Sequence, residues 1–261
     1  MKKLTLGILG TGYLGDIIAT AWKDGYLKDY DLIGVAGRNT EKTQALADKV
    51  GVHPCKTTEE LLALKPDYIA EAASVEAVHD IAVPALSNGI NLVILSIGAF
   101  ADADFYKEVS ETAAAHGTKV HIASGAVGGF DVLRTLSLMG EAKVTFEAQK
   151  NPKSLQNTPL FKEHIMTDTQ SSCVFEGNTR EAIELLPTKV NVAVASALAS
   201  VGPENTKMTI ESVPGFVGDE HRIKSSIDGF HADLDIYAST AAIAGWSVVA
   251  VLQNITSPIV F

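Results

Sequence analysis

Along the first half of the chain, short apolar runs alternate with stretches whose apolar residues recur at helical spacing. Leu4-Thr5-Leu6-Gly7-Ile8-Leu9 predicts a buried strand, and residues 16–22 present one apolar helix face behind it. The rhythm then repeats. Strands are expected at 31–37, 51–55, 66–73, 91–96 and 119–123, with helices at 43–50, 78–86 and 103–117 and a helix start at 57–60, where Thr57 is a cap candidate and Glu60 follows three residues on. Strand and helix in this order predict an α/β fold on a doubly wound parallel sheet, whose ligand-facing loops lie at the carboxyl ends of its strands.

From Val144 the texture changes. Strands at 143–148 and 207–212 frame helices at 179–185 and 191–200, which predicts a second α/β domain on an open mixed sheet with helices on one side. Residues 238–252 are apolar apart from Ser239, Thr240 and Ser247. They fall short of the ~20 residues a membrane span needs, so a buried helix is expected there. The expected division is 1–121 for the first domain, with 238–261 packing back on it, and 122–237 for a second domain carrying substrate, catalysis and oligomerisation.

At 261 residues and 46% hydrophobic, the chain has ample material for two cores, and its net charge of −10 argues against a nucleic-acid partner. Cys55 and Cys173 show neither disulfide nor metal-ligand spacing, so both are expected as core residues of a cytoplasmic protein, with no bound metal. Met1-Lys2-Lys3 before an apolar run imitates a signal peptide. That run is the first strand, however, and no cleavage site follows it; no membrane association is expected.

The chemistry begins at Gly10-Thr11-Gly12-Tyr13-Leu14-Gly15, set between the first strand and the first helix. In this pattern the first glycine permits the tight turn, the second lets a diphosphate approach the backbone, and the third lets helix and strand pack closely. The free N–H groups of the helix start complete an anion site. A dinucleotide site follows. The end of the second strand, where a carboxylate would hold the ribose hydroxyls of NAD, carries Gly37 and then Arg38. A guanidinium can clamp a 2′-phosphate, which favours NADP, or use of NADP or NAD. Ser74, at the end of a central strand, is expected beside the cofactor.

Residues 124–131, Ser-Gly-Ala-Val-Gly-Gly-Phe-Asp, admit two readings: a tight crossover between domains, or a loop against the nicotinamide half of the cofactor. Asp131 is expected to cap a helix starting at Val132. Among seven histidines, His221 stands apart in a loop-like, polar setting after Pro214-Gly215-Phe216-Val217-Gly218.

The 124–131 loop resembles that of the L-aspartate dehydrogenase family, close to S-G-A-I-G-G-L-D. The likeness extends to Glu71-Ala72-Ala73-Ser74, to 95–100, to 175–183 and to 187–193, so it covers most of residues 4–229. It implies a Rossmann domain plus a mixed α/β domain, and NAD(P)-dependent oxidation of an amino acid to the 2-oxo acid and ammonia. By position it also implies that Ala126 and Asn191 touch the cofactor and that His221 is catalytic. Lys150 occupies the place of a family lysine before proline and, with Ser124, is the candidate contact to substrate; a homodimer is compatible with the resemblance. Histidine suits the base because its ordinary pKa lies near neutrality. The chain departs from the family at 218–223 and 237–241. Two other readings therefore stand beside this one: a related reductase of another small substrate, and a non-catalytic NADP-binding sensor.

Overall fold

The structure, a computed structural model, describes residues 2–187 and 190–261. Thr188 and Lys189, within one of the family-like segments, lie outside the described residues. The chain divides into two compact units, one of residues up to Gly125 together with Ala242–Phe261, the other Ala126–Ala241. The division thus falls a few residues after the expected 121/122 boundary, and the returning segment starts at 242 rather than 238.

The first unit runs β1 (Leu4–Leu9), α1 (Tyr13–Lys23), β2 (Tyr30–Ala36), α2 (Thr40–Val50), β3 (His53–Cys55), α3 (Thr58–Ala63), β4 (Tyr68–Glu71), α4 (Val75–Ser87), β5 (Asn91–Ile94), α5 (Ala103–His116) and β6 (Val120–Ile122). The six strands form one parallel sheet in the order β3-β2-β1-β4-β5-β6. Local chemistry sets the helix ends. Asn39 accepts from the Lys42 amide at 2.8 Å to open α2, and Gly51, with φ 78°, closes it. Thr57 caps α3 through the Glu60 amide, while the Glu60 carboxylate takes the amide of Lys56 at 2.7 Å. Leu6, Ile8, Ile18, Val35, Ala70 and Val93 fill the core.

The second unit comprises α6 (Phe130–Met139), β7 (Lys143–Lys150), β8 (Ser172–Asn178), α7 (Thr179–Leu185), α8 (Asn191–Leu198), β9 (Thr206–Ser212), β10 (Asp219–Ile227) and β11 (Phe230–Ala238). Its mixed sheet has the order β11-β10-β7-β9-β8, with β7 and β9 parallel and the other pairs antiparallel. Phe146, Ile210 and Ile223 point from the sheet into a core shared with Leu133 and Ala182 of the helices. The opposite face is solvated, and there Arg222 bridges Glu220 and Asp235 while Lys224 pairs with Glu147.

The last helix, α9 (Ala242–Thr256), belongs to the first unit. Val248, Val249 and Leu252 enter its core, the Tyr30 hydroxyl donates to the Leu252 carbonyl at 2.8 Å, and Gly245 lets the helix ride close on Ile17. Residues 238–241, read as the start of this helix, instead end β11 and turn. No described helix is long and apolar enough to cross a membrane.

Three further expectations are corrected. Asp131 does not cap α6: the helix starts at Phe130 with Gly129 as its cap, which places Asp131 in the first turn. Cys55 is buried as expected, but Cys173 is exposed, because it takes an outward position of β8 beside a register shift. His221 is not in a loop. It sits within β10, whose inward positions are His221, Ile223 and Ser225; with two of those three polar, the alternation that marks a strand is hidden.

Candidate active site

In the first unit, the loop between β1 and α1 is shaped by its glycines in three different ways. A Cβ on Gly10, whose φ is 119°, would lie 2.4 Å from the Ala72 carbonyl oxygen, and one on Gly15 would lie 1.8 Å from the Gly10 carbonyl oxygen. Protein packing demands glycine at both. Gly12 faces nothing within 4 Å, so its lack of a side chain keeps space open. The same Gly12 caps α1 without any side-chain hydrogen bond. The amide groups of the first turn therefore remain available to an anion. Tyr13 is exposed and Leu14 packs on the core. A cavity of about 490 Å³ opens here, walled by Gly10, Thr11, Gly12, Gly37, Arg38 and Ser74. These sequence-predicted contacts are thus brought together, and the cradle fits a dinucleotide: open backbone at the diphosphate position, a cation beyond β2.

Glu71 organises the loops behind that cavity. Fully buried at the end of β4, its Oε1 accepts from the amides of Ala73 at 2.7 Å and Ser74 at 3.0 Å and from the Ser96 hydroxyl at 2.8 Å. Its Oε2 takes the amides of Ser96 at 2.9 Å and Leu95 at 3.3 Å. Burial pushes the carboxyl above its ordinary range, against the pull of these bonds. Ser74, held by this carboxylate through its amide, accepts the Ala77 amide on its hydroxyl oxygen and so caps α4. The sequence signal for Glu71 is a lone acid near the end of an apolar strand.

In the second unit, strand register assembles a polar group on the buried face. His221 stands opposite Ala148 on β7, and Lys150, two residues on, lies opposite Ser212 of β9, which in turn faces Ser172 of β8. His221 is 4% exposed and Lys150 7%. The imidazole leans on Phe146, ring centres 5.5 Å apart, and its Nδ1 is buried with no hydrogen-bond partner among the described residues. Ser172 and Ser212 likewise have unpartnered hydroxyls. Lys150 Nζ is 3.6 Å from the half-exposed carboxylate of Asp219. Burial, reinforced by the Lys150 cation and opposed by Asp219, pushes the His221 imidazole down to about 4. At neutral pH it is uncharged and able to accept a proton, as a weaker base than the near-neutral imidazole expected from the sequence.

The other candidates are placed as follows. Ser124 follows β6 and is half-buried, and the next amide, of Gly125, donates to the Ser247 hydroxyl of α9 at 3.0 Å. Ala126 and Asn191, both partly buried, belong to the second unit, Asn191 as the first residue of α8. Of the remaining histidines, none of them a site candidate, His79 is exposed against the Phe105 ring, and His164 is exposed and paired with Asp168.

Residues 7–123 match the family described as "Homoserine dehydrogenase, NAD binding domain", and residues 131–255 match "Aspartate dehydrogenase, C-terminal". An L-aspartate dehydrogenase of Methanococcus maripaludis strain C5 is 32% identical, the alignment covering 98% of each chain. Another, from Methanosarcina acetivorans, is 31% identical over 98% of each. The crystal structure of aspartate dehydrogenase from Thermotoga maritima superposes with a TM-score of 0.78 at 27% identity, covering 99% of each chain. With full-length relatives of this likeness, and with both halves matched in order, the chain belongs to the L-aspartate dehydrogenase family.

Proposed function

We propose that this chain is an amino-acid dehydrogenase that interconverts L-aspartate, water and NAD(P)+ with oxaloacetate, ammonia, NAD(P)H and a proton. The observation that carries the reading is His221: a buried, uncharged imidazole with an open Nδ1, on the same sheet face as a buried ammonium. When bound, the nicotinamide supplies the hydride acceptor for the C2–H of the substrate. The protein supplies the rest. Gly10, Thr11, Gly12 and the first turn of α1 receive the diphosphate, and Ala126 and Asn191 are taken as further cofactor contacts. His221 accepts a proton from the water that attacks the substrate imine, and returns it as ammonia departs. Lys150 provides the positive charge that a substrate with two carboxylates requires, with Ser124 as a second substrate contact. In the reverse direction the same groups act in the opposite order.

Both cysteines are free, in keeping with a cytoplasmic enzyme. A homodimer belongs to the same reading and is tested by sedimentation. The activity is tested by following nicotinamide absorbance with the purified chain, each of the twenty amino acids and both cofactors. Turnover selective for aspartate is the expected result. Turnover of another amino acid alone would overturn the substrate, and binding of cofactor without turnover of any amino or 2-oxo acid would overturn the enzyme.

A further inference from the structure

The residue that follows β2 decides which ribose the first unit accepts, and here it has no side chain. In dinucleotide-binding sheets a carboxylate at this edge takes the ribose hydroxyls of NAD. At position 37 of this chain a side chain would collide with Thr11. A Cβ on Gly37 would lie 2.4 Å from Thr11 Oγ1 and within 3.2 Å of two more Thr11 carbons. Thr11 has little freedom to yield: its hydroxyl is 3.3 Å from that of buried Thr43, which itself donates to the carbonyls of Asn39 and Gly37. Beyond this plug, Arg38 and Lys42 line the cavity from the β2–α2 side, with Lys56 near them. None of the three comes within 4.0 Å of a carboxylate among the described residues, and Arg38 is near enough to Glu76 to add its charge to the hydrogen bonds, from the Glu76 amide and the Ser74 side chain, that hold that carboxyl below its ordinary range. The acids that share the cavity, Glu59, Glu76 and Asp80, come from α3 and α4.

We propose that Thr11 and Gly37 together exclude the NAD-selecting carboxylate, and that Arg38 with Lys42 forms a subsite for the 2′-phosphate of NADP. The inference rests on the reading of this cavity as a dinucleotide site and specifies which dinucleotide it takes. Arg38 contributes paired donors in a planar fork, and Lys42 a second charge one helical turn into α2.

The test needs no turnover. Adenosine 2′,5′-bisphosphate and adenosine 5′-monophosphate are titrated into the purified chain by calorimetry, with Arg38→Ala and Lys42→Ala alongside. The bisphosphate is expected to bind about 10- to 100-fold more tightly, the worth of one or two charge-assisted contacts. Arg38→Ala should remove most of that preference and leave the monophosphate affinity unchanged, which also shows that the variant is folded. Equal affinity for the two nucleotides in the parent chain, or a preference that survives both substitutions, would overturn the subsite while leaving a dehydrogenase intact. Failure of both nucleotides to bind would overturn the dinucleotide site itself.

Discussion

Glu71 holds Ser96 by both its amide and its hydroxyl, at 2.9 and 2.8 Å, and so ties the carboxyl end of β4 to that of β5. The same carboxylate fixes the amides of Ala73 and Ser74, which border the cavity beside Gly10. A carboxyl group placed in the sheet thus shapes a wall of the cavity without lining it.

Glu71→Gln keeps the volume but puts an NH₂ where amides donate. At least one buried donor loses its acceptor, so a loss of about 2–4 kcal/mol in stability is expected. Cofactor affinity should fall with it, and Asp should rescue neither, being one methylene too short. Denaturant unfolding together with NADPH fluorescence titration measures both effects.

Gly12 and Gly15 make an internal contrast. Gly15→Ala drives a methyl into the Gly10 carbonyl and should destabilise by about 3 kcal/mol. Gly12→Ala enters open space and should leave the melting temperature unchanged. It should nonetheless weaken dinucleotide binding at least about tenfold, or 1.4 kcal/mol, by occupying the approach to the backbone.

The depressed pKa of His221 sets a pH window for stability. The unfolded chain takes up a proton near the ordinary 6.5, whereas the folded chain resists until about 4. Stability is therefore unaffected by this group above pH 6.5 and falls as pH drops from 6.5 toward 4, at up to about 1.4 kcal/mol per pH unit and about 3 kcal/mol in all. His221→Gln should remove this part of the acid slope in denaturant melts. A slope identical in the parent chain and the variant would show that the imidazole is not held neutral by its surroundings.

Lys150 contributes to that depression through its charge. Lys150→Met should raise the His221 pKa, seen by NMR titration of the imidazole, and move the acid limb of kcat/KM to higher pH. It should also raise the KM for aspartate more than it lowers kcat. A purely structural lysine would shift neither the titration nor the limb.

Much of the first unit was legible in the order of residues, because the central parallel strands β1, β4 and β5 are largely buried on both faces and read as mainly apolar runs. Ile8 and Leu9 lead directly into the glycine loop. The glycines declared the turn, although only coordinates show that Gly10 and Gly15 answer to protein packing and Gly12 to open space. The second unit was less legible. Its sheet is half solvated, so strands should alternate, yet β10 turns His221 and Ser225 inward and conceals its own period. The alignment of Lys150 with Ser212, and of Ser212 with Ser172, comes from strand register between positions far apart in sequence, which no local pattern carries. Glu71 was visible as a lone acid, but its five donors come from two loops that only the sheet order brings side by side.

In the proposed reaction His221 moves the proton. The most direct measurement is turnover of aspartate by His221→Ala against the parent chain, with cofactor affinity determined on the same samples. A fall in kcat of about 100-fold or more with unchanged cofactor affinity is expected; parental turnover in the variant would remove the imidazole from the proton transfer.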